Sequence, residues 1–285
     1  MERTLSQNES KVVLDLEWRS QKTVTLNEIQ KALACSDGYA RFMAHQLVKK
    51  GWLDRLRPGL YQLVPADRGR EGVADTNPLA AGSVLVSPYF FSFGTACTYY
   101  GLTEQVFSEV YLVTRARRKS QLVRGKRYVF VPVAEEEFFG FTELKVLGAT
   151  VQMATAERAL VDALDRPRYA GGIGEVSRIV ARAIRRVAWD ALLDCLRRFG
   201  ESSLVQRLGY LMELNRAEVQ QEKLAALRGL VRQGSKIPLG PQAKWGLHGP
   251  LSRSWNIIEN VPREVLLESD SQPKKRMTFA KRGDR

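Results

Sequence analysis

The sequence predicts an α+β protein in two parts: a small N-terminal domain of three helices closed by a hairpin, then a larger α+β domain with a small sheet and a helical C-terminal half. Three observations predict it. Apolar residues between positions 7 and 49 recur at helical spacing, interrupted twice by capping residues. Two short β-prone stretches then flank Arg57-Pro58-Gly59, a tight turn. Farther on, strand-like segments come first and helical ones follow, which is the segregated order of an α+β domain.

Each element can be argued in turn. Over residues 7–19, Val12, Val13, Leu16 and Trp18 read as an apolar helical stripe. Thr25 precedes LNEIQKAL with Glu28 three residues later, a capping box in which hydroxyl and carboxylate satisfy free amide donors of the first turn. This second helix ends near Ala34, and Ser36 and Asp37 offer caps for a third, GYARFMAHQLVKKG, stopped by Gly51. WLDRL and LYQLV follow as two short strands. Helix, short helix, longer helix and hairpin is the order of a winged helix-turn-helix, expected over residues 1–66. Residues 67–77 are polar and read as a linker. The second domain is expected over 78–268, with strands at Glu109 to Thr114, Tyr128 to Val133 and Leu144 to Met153. Ala154 to about Arg232 reads as helical, and SWNIIENV as a strand returning to the sheet. Residues 269–285 are basic without periodicity, a flexible tail.

Charge narrows the partner class. Lys plus Arg number 44 against 31 Asp plus Glu, a formal net charge of +13. Such an excess suits a polyanion, because each phosphate neutralised releases condensed counterions. Cys35, Cys97 and Cys195 form no CxxC pair, which argues against a zinc site or disulfide framework and for a reducing cytoplasm. The N-terminal residues lack the apolar core of a signal peptide, and no apolar run is long enough to span a bilayer.

In a helix-turn-helix the second helix of the pair packs one face on the domain and offers the other to the major groove. At about 100° per residue, Ala40, Met43, Ala44 and Leu47 fall on one side of the third helix. Arg41, Phe42, His45, Gln46 and Lys49 fall on the other, with Tyr39 at the first turn. Gln46 suits an adenine edge, Arg41 a guanine or phosphate, and Phe42 a thymine methyl. Thr25 and Ser36, where the two helices begin, and Tyr39 are also expected among the DNA-binding residues, and Arg55 and Arg57 flank the wing turn, where they can reach backbone or minor groove.

These residues resemble a known family. GWLDRLRPGLYQL is similar to the wing of the AbiEi-type antitoxins, transcriptional regulators of viral defence systems. Further matches are YYGLTEQVFSEVYLVT, RYVFVPV with EEFFGF, TAERALVDALDRPRYAGGIGEV and LGYLMEL, so the resemblance runs to about Val261. It implies a winged helix that binds inverted repeats of double-stranded DNA upstream of its own operon and represses it. It also implies a second domain that contributes to repression and neutralises a toxin, usually nucleotidyltransferase-like, within an abortive-infection toxin-antitoxin system. A solitary regulator without a toxin is the alternative.

Other constellations argue against catalysis. Only His45 and His248 exist, with no triad motif around either. Gly171-Gly172-Ile173-Gly174 lacks the Walker lysine, has Glu175 in the following turn, and reads as a tight turn. Asp162 and Asp165 raise a metal-dependent nuclease as a further alternative. Glu157 and Asp162, however, diverge by about 140° around a helix, and Arg158 and Arg166 stand near enough to pair with the two aspartates. The sequence thus predicts no enzyme, no cofactor and no metal. Two basic features remain. RARRKSQLVRGKR, from Arg115 to Arg127, holds seven cations, among them Arg117, Arg118 and Lys119, and no acid. Arg178, Arg182 and Arg185 are expected on a helix face opposite Val176, Val180, Ala183 and Val187. Either set can extend a DNA footprint or dock a toxin.

Overall fold

The computed structural model describes residues 4–66, 77–146, 149–232 and 234–267. All of the expected linker except Asn77, and the whole expected tail, lie outside the described residues. The protein is α+β and divides into two compact units, Met1–Phe91 with Ser108–Ala154, and Ser92–Phe107 with Thr155–Arg285.

The first unit opens with α1 (Gln7–Trp18), β1 (Thr23–Thr25), α2 (Leu26–Leu33), α3 (Asp37–Lys49), β2 (Leu53–Arg57) and β3 (Leu60–Leu63). The strands form an antiparallel sheet in the order β1-β3-β2. Val12, Val13, Leu16, Ile29, Ala40, Met43, Ala44, Leu47 and Trp52 build one core cluster whose members all lie between residues 12 and 63. Leu47 is wholly buried there, and its truncation to Ala is expected to cost about 2–5 kcal/mol. Trp18 corrects the sequence reading: it is 86% exposed, because two residues beyond Leu16 a helix has turned its side chain to the opposite face.

The rest of this unit contains α4 (Pro78–Ser83), β4 (Tyr89–Phe91), β5 (Glu109–Thr114), β6 (Gln121–Val123), β7 (Lys126–Pro132), β8 (Phe141–Val146) and β9 (Ala149–Ala154). Its six-stranded sheet has the order β6-β7-β5-β4-β9-β8. β5 and β7 are parallel, whereas β8 and β9 form an antiparallel pair running from Phe141–Ala154 to Val146–Ala149. The single strand expected from Leu144 to Met153 is therefore two. Phe90, on β4, stacks on Phe141 at 4.8 Å. Helix α4 lies against the sheet through Gly82, where a Cβ would stand 2.8 Å from the Phe91 ring.

The second unit holds α5 (Phe93–Tyr99), α6 (Ala156–Asp165), α7 (Ile173–Ala183), α8 (Trp189–Phe199), α9 (Ser202–Leu214), α10 (Gln221–Arg228), α11 (Gln242–Trp245) and α12 (Arg263–Leu267). Thr155 caps α6 by accepting the Arg158 N–H at 3.3 Å. The SWNIIENV segment does not return to the six-stranded sheet. Its β12 (Ile257–Ile258) lies between β10 (Ile237–Pro238) and β11 (Leu251–Ser252) in a separate small sheet. Trp255 anchors it, wholly buried against Gly209 of α9, where any side chain would collide with the indole. Among the described residues no helix is long and apolar enough to cross a membrane.

Candidate nucleic-acid interface

The α2–α3 corner is built by caps. The Glu28 N–H donates to Thr25 Oγ1 at 3.3 Å while the Thr25 N–H donates to Glu28 Oε2 at 2.7 Å, the reciprocal pattern expected from the sequence. Ala34 then takes a left-handed conformation at φ +46°, and the Cys35 N–H returns to the Gln30 carbonyl at 3.1 Å. Ser36 accepts the Tyr39 N–H at 3.3 Å and starts α3. Thr25 and Ser36 thus act first as helix caps.

Helix α3 has two faces. Ala40, Met43, Ala44 and Leu47 are buried, while Arg41, Phe42, His45 and Lys49 are exposed and Gln46 is half-buried. Phe42 is 54% exposed, unusual for a phenylalanine with an adjacent core to enter. Tyr39 lies 6.0 Å from it, ring to ring, and its hydroxyl accepts from Asn8 Nδ2 at 3.1 Å. Arg41 Nε reaches back to Asp37 Oδ2 at 2.8 Å. In the wing, Gly59 adopts φ +78° and the β2–β3 register shifts between Arg55 and Arg57. Leu56 is buried at this bulge, and Arg55 and Arg57 are both exposed.

The loop cations fall into two groups. Arg115 pairs with Glu135 at 2.8 Å and covers the Phe138 ring at 4.8 Å, so it braces the sheet. Arg117, Arg118 and Lys119 are exposed. Arg124, not singled out from the sequence, forms an ion pair with Asp54 of the wing strand β2. No local pattern signals that contact, since the partners lie on different hairpins.

The arginines of α7 need a correction. Residues 173–177, Ile179 and Val180 are buried, so α7 is covered on most sides, and it ends at Ala183, before Arg185. Arg178 Nε bonds buried Glu175 at 2.8 Å, and Arg182 bonds Glu104 at 3.1 Å. Arg185 is exposed. The three do not form one continuous guanidinium face. Glu175 also accepts from Thr103 Oγ1 at 2.5 Å, which identifies it as part of an internal network.

Asp162 is likewise internal. It is 2% exposed, accepts from Arg158 Nε at 2.9 Å and from Ser92 Oγ at 2.5 Å. Burial pushes its carboxyl above the usual range, and Arg158 and Ser92 pull it only part of the way back. Asp165 pairs with Arg166 at 2.9 Å. Glu157 accepts the Ala188 N–H at 2.8 Å. Among the described residues no group of His, Cys, Asp or Glu is placed to hold a metal ion. Gly171 and Gly172, at φ +84° and +89°, form the turn into α7.

A three-helix core, a polar outward helix entered through a capped corner, and a cationic two-stranded wing define a winged helix-turn-helix carried on an α+β body. Residues 11–64 match the family model "Transcriptional regulator, AbiEi antitoxin", the family that the sequence resembles. That family is one of transcriptional regulators and antitoxins. Among solved structures, the chain is similar to the RV2827C protein from Mycobacterium tuberculosis, with 15% identity and a TM-score of 0.64 over 90% of this chain and 92% of that one. At that identity the likeness shows a shared fold. No curated protein matches the chain.

Proposed function

We propose that the protein is a sequence-specific, cytoplasmic DNA-binding repressor of its own operon and the antitoxin of an abortive-infection system, without catalytic activity of its own. The observation that carries the DNA-binding half is the outward side of α3. It presents exposed Arg41, Phe42, His45 and Lys49 with half-buried Gln46, its other side is locked in the core, and the wing adds exposed Arg55 and Arg57. A cationic, hydrogen-bonding and partly apolar helix surface matches a major groove lined by phosphates, base edges and thymine methyls. Thr25, Ser36 and Tyr39 hold the corner so that the first turn of α3 meets the groove. Exposed Arg117, Arg118 and Lys119 supply further phosphate contacts.

The antitoxin half rests on the family match and names a nucleotidyltransferase-like toxin as partner. Arg185 is the best-placed of the three sequence-predicted arginines for a protein contact, because it is exposed while Arg178 and Arg182 are half-buried and paired with Glu175 and Glu104. The internal position of Asp162 gives no support to the nuclease reading. A solitary regulator remains the second reading, and it needs only the surface of α3.

Gel shifts on the DNA upstream of the gene, with a reporter fused to that promoter, test the proposal. Arg41→Ala with Lys49→Ala is expected to weaken operator binding at least about tenfold and to release the reporter, without a change in melting temperature. Unchanged tight binding by the folded double variant would show that α3 is not the reading helix. Protection from a co-expressed neighbouring toxin gene tests the second half.

A further inference from the structure

We infer that the Asp54–Arg124 ion pair is a clasp that fixes the wing on the β6–β7 turn, so that Arg55, Arg57 and the loop cations Arg117, Arg118 and Lys119 engage one DNA duplex as a single surface. This rests on the DNA-binding reading above. Three observations lead to it.

The first is the chemistry of the wing. Asp54 is the only acid between Trp52 and Val64, in a hairpin otherwise suited to phosphates. An unpartnered carboxylate there would repel the duplex. Its charge is instead taken up by Arg124, whose side chain is only 19% exposed. Arg124 is therefore poorly placed to touch phosphate itself, and its role is positional.

The second is backbone geometry. Val123 pairs with Lys126, so Arg124 and Gly125 form a two-residue hairpin turn. Both adopt positive φ, +50° and +73°. Asn or Gly takes the first of these positions with less strain than a long unbranched side chain. What Arg124 adds there is reach to the wing.

The third is the face that Arg124 meets. Along β2, Asp54 is half-buried against Arg124 and Leu56 is buried, whereas Arg55 and Arg57, on either side of the bulge, are exposed. Leu56 and Leu60 are each 5% exposed, yet neither belongs to the core cluster of the winged helix. The wing thus has a covered side, carrying the clasp, and a solvent side carrying the cations. With its inner side anchored, the wing holds Arg55 and Arg57 in a fixed relation to the basic loop that leads into the β6–β7 hairpin. Phosphate contacts made from a rigid array avoid the ordering cost that two independently moving segments would incur.

The test measures affinity across salt concentration for the full chain on a mixed-sequence duplex of about three helical turns and on the gene's own upstream DNA. Wild type is compared with Asp54→Asn, with the Arg117→Gln, Arg118→Gln, Lys119→Gln triple variant, and with the charge swap Asp54→Arg plus Arg124→Asp. By charge alone, Asp54→Asn removes a repulsion and tightens binding. The clasp predicts the opposite: binding about three- to tenfold weaker, with a salt slope reduced toward that of the triple variant. The swap, which preserves net charge and the pair, restores both. Binding by Asp54→Asn that equals or exceeds wild type with an unchanged slope overturns the clasp, as does a swap that fails to recover in a protein of normal melting temperature. If Asp54→Asn itself melts early, the swap decides. Should wild type bind neither duplex while the triple variant behaves identically, the DNA-binding reading falls first and the clasp falls with it.

Discussion

Glu9 Oε2, in the first turn of α1, lies 2.7 Å from Lys50 Nζ at the end of α3, and the two residues join the beginning of the winged helix to the end of its outward helix. The same carboxylate accepts the Ser6 N–H at 2.6 Å, so a capping box and an ion pair share one buried group. Burial alone would push the Glu9 carboxyl up. Its bonds from Lys50 and Ser6 outweigh that and hold it below the usual carboxylate range. Glu28 is lowered for related reasons, with Thr25 and Gln21 offsetting its partial burial.

The sign of the pH effect follows. A carboxyl whose folded pKa is depressed stabilises the fold above its unfolded value, 4.5 here, and that contribution is lost as pH falls through the folded value. Glu9→Gln is expected to cost about 1–3 kcal/mol at neutral pH. Melting curves of wild type and variant should draw together as pH falls below 4.5 and through the depressed folded value. A gap that stays constant from neutral pH to strong acid would remove Glu9 from this role.

Arg41 is not idle in the free protein, since Asp37 holds it at 2.8 Å across one helical turn. On the DNA-binding reading proposed above, DNA phosphate and Asp37 compete for the same guanidinium. Asp37→Asn removes the competitor together with a negative charge, so duplex affinity should rise about two- to fivefold, the scale of an exposed pair. The helix should lose about 0.3–1 kcal/mol of N-terminal charge–dipole stabilisation. Equal or weaker binding by Asp37→Asn in a gel shift would place Arg41 away from the phosphates.

Asp162 provides a test with no DNA in it. Replacing it with Ala leaves the Arg158 guanidinium buried without its carboxylate, and the expected loss is about 3–5 kcal/mol, readable by chemical denaturation. Replacing both residues, Arg158→Met with Asp162→Leu, should recover most of that loss. Magnesium or manganese should produce no DNA cleavage that depends on Asp162. A variant that stays fully stable but abolishes a metal-dependent cleavage would reinstate the nuclease.

Where sequence and structure agree, the signal was local. Burial of Ala40, Met43, Ala44 and Leu47 follows from a period of 3.6 within one helix, and the Thr25–Glu28 box from a spacing of three. The Arg158–Asp162 and Arg166–Asp165 pairs were readable for the same reason. What escaped depended on distant partners. The run from Tyr89 to Tyr99 is apolar without a clear period, and only its neighbours make Tyr89–Phe91 a central strand and Phe93–Tyr99 a helix. Arg182 reads as solvent-facing until Glu104 is seen to meet it. Asp54 and Arg124 belong to different hairpins, and no spacing rule connects them.

The core cluster confined to residues between 12 and 63 has a consequence for inheritance. On the DNA-binding reading proposed above, the winged helix carries most of its own interior and, apart from the side bearing Asp54, Leu56 and Leu60, can be traded between related chains like a cassette, bringing new operator preferences. The body cannot be split in the same way: the chain leaves the first unit at Phe91, returns at Ser108 and leaves again after Ala154, so no single cut yields either unit whole. A transplanted cassette must also bring an acid at position 54 to meet Arg124. On the two proposals above, recombination after the winged helix is therefore free in the outward surface of α3 but constrained at one residue of the wing, and chimeras made there should sort into repressing and non-repressing classes by the charge at that site.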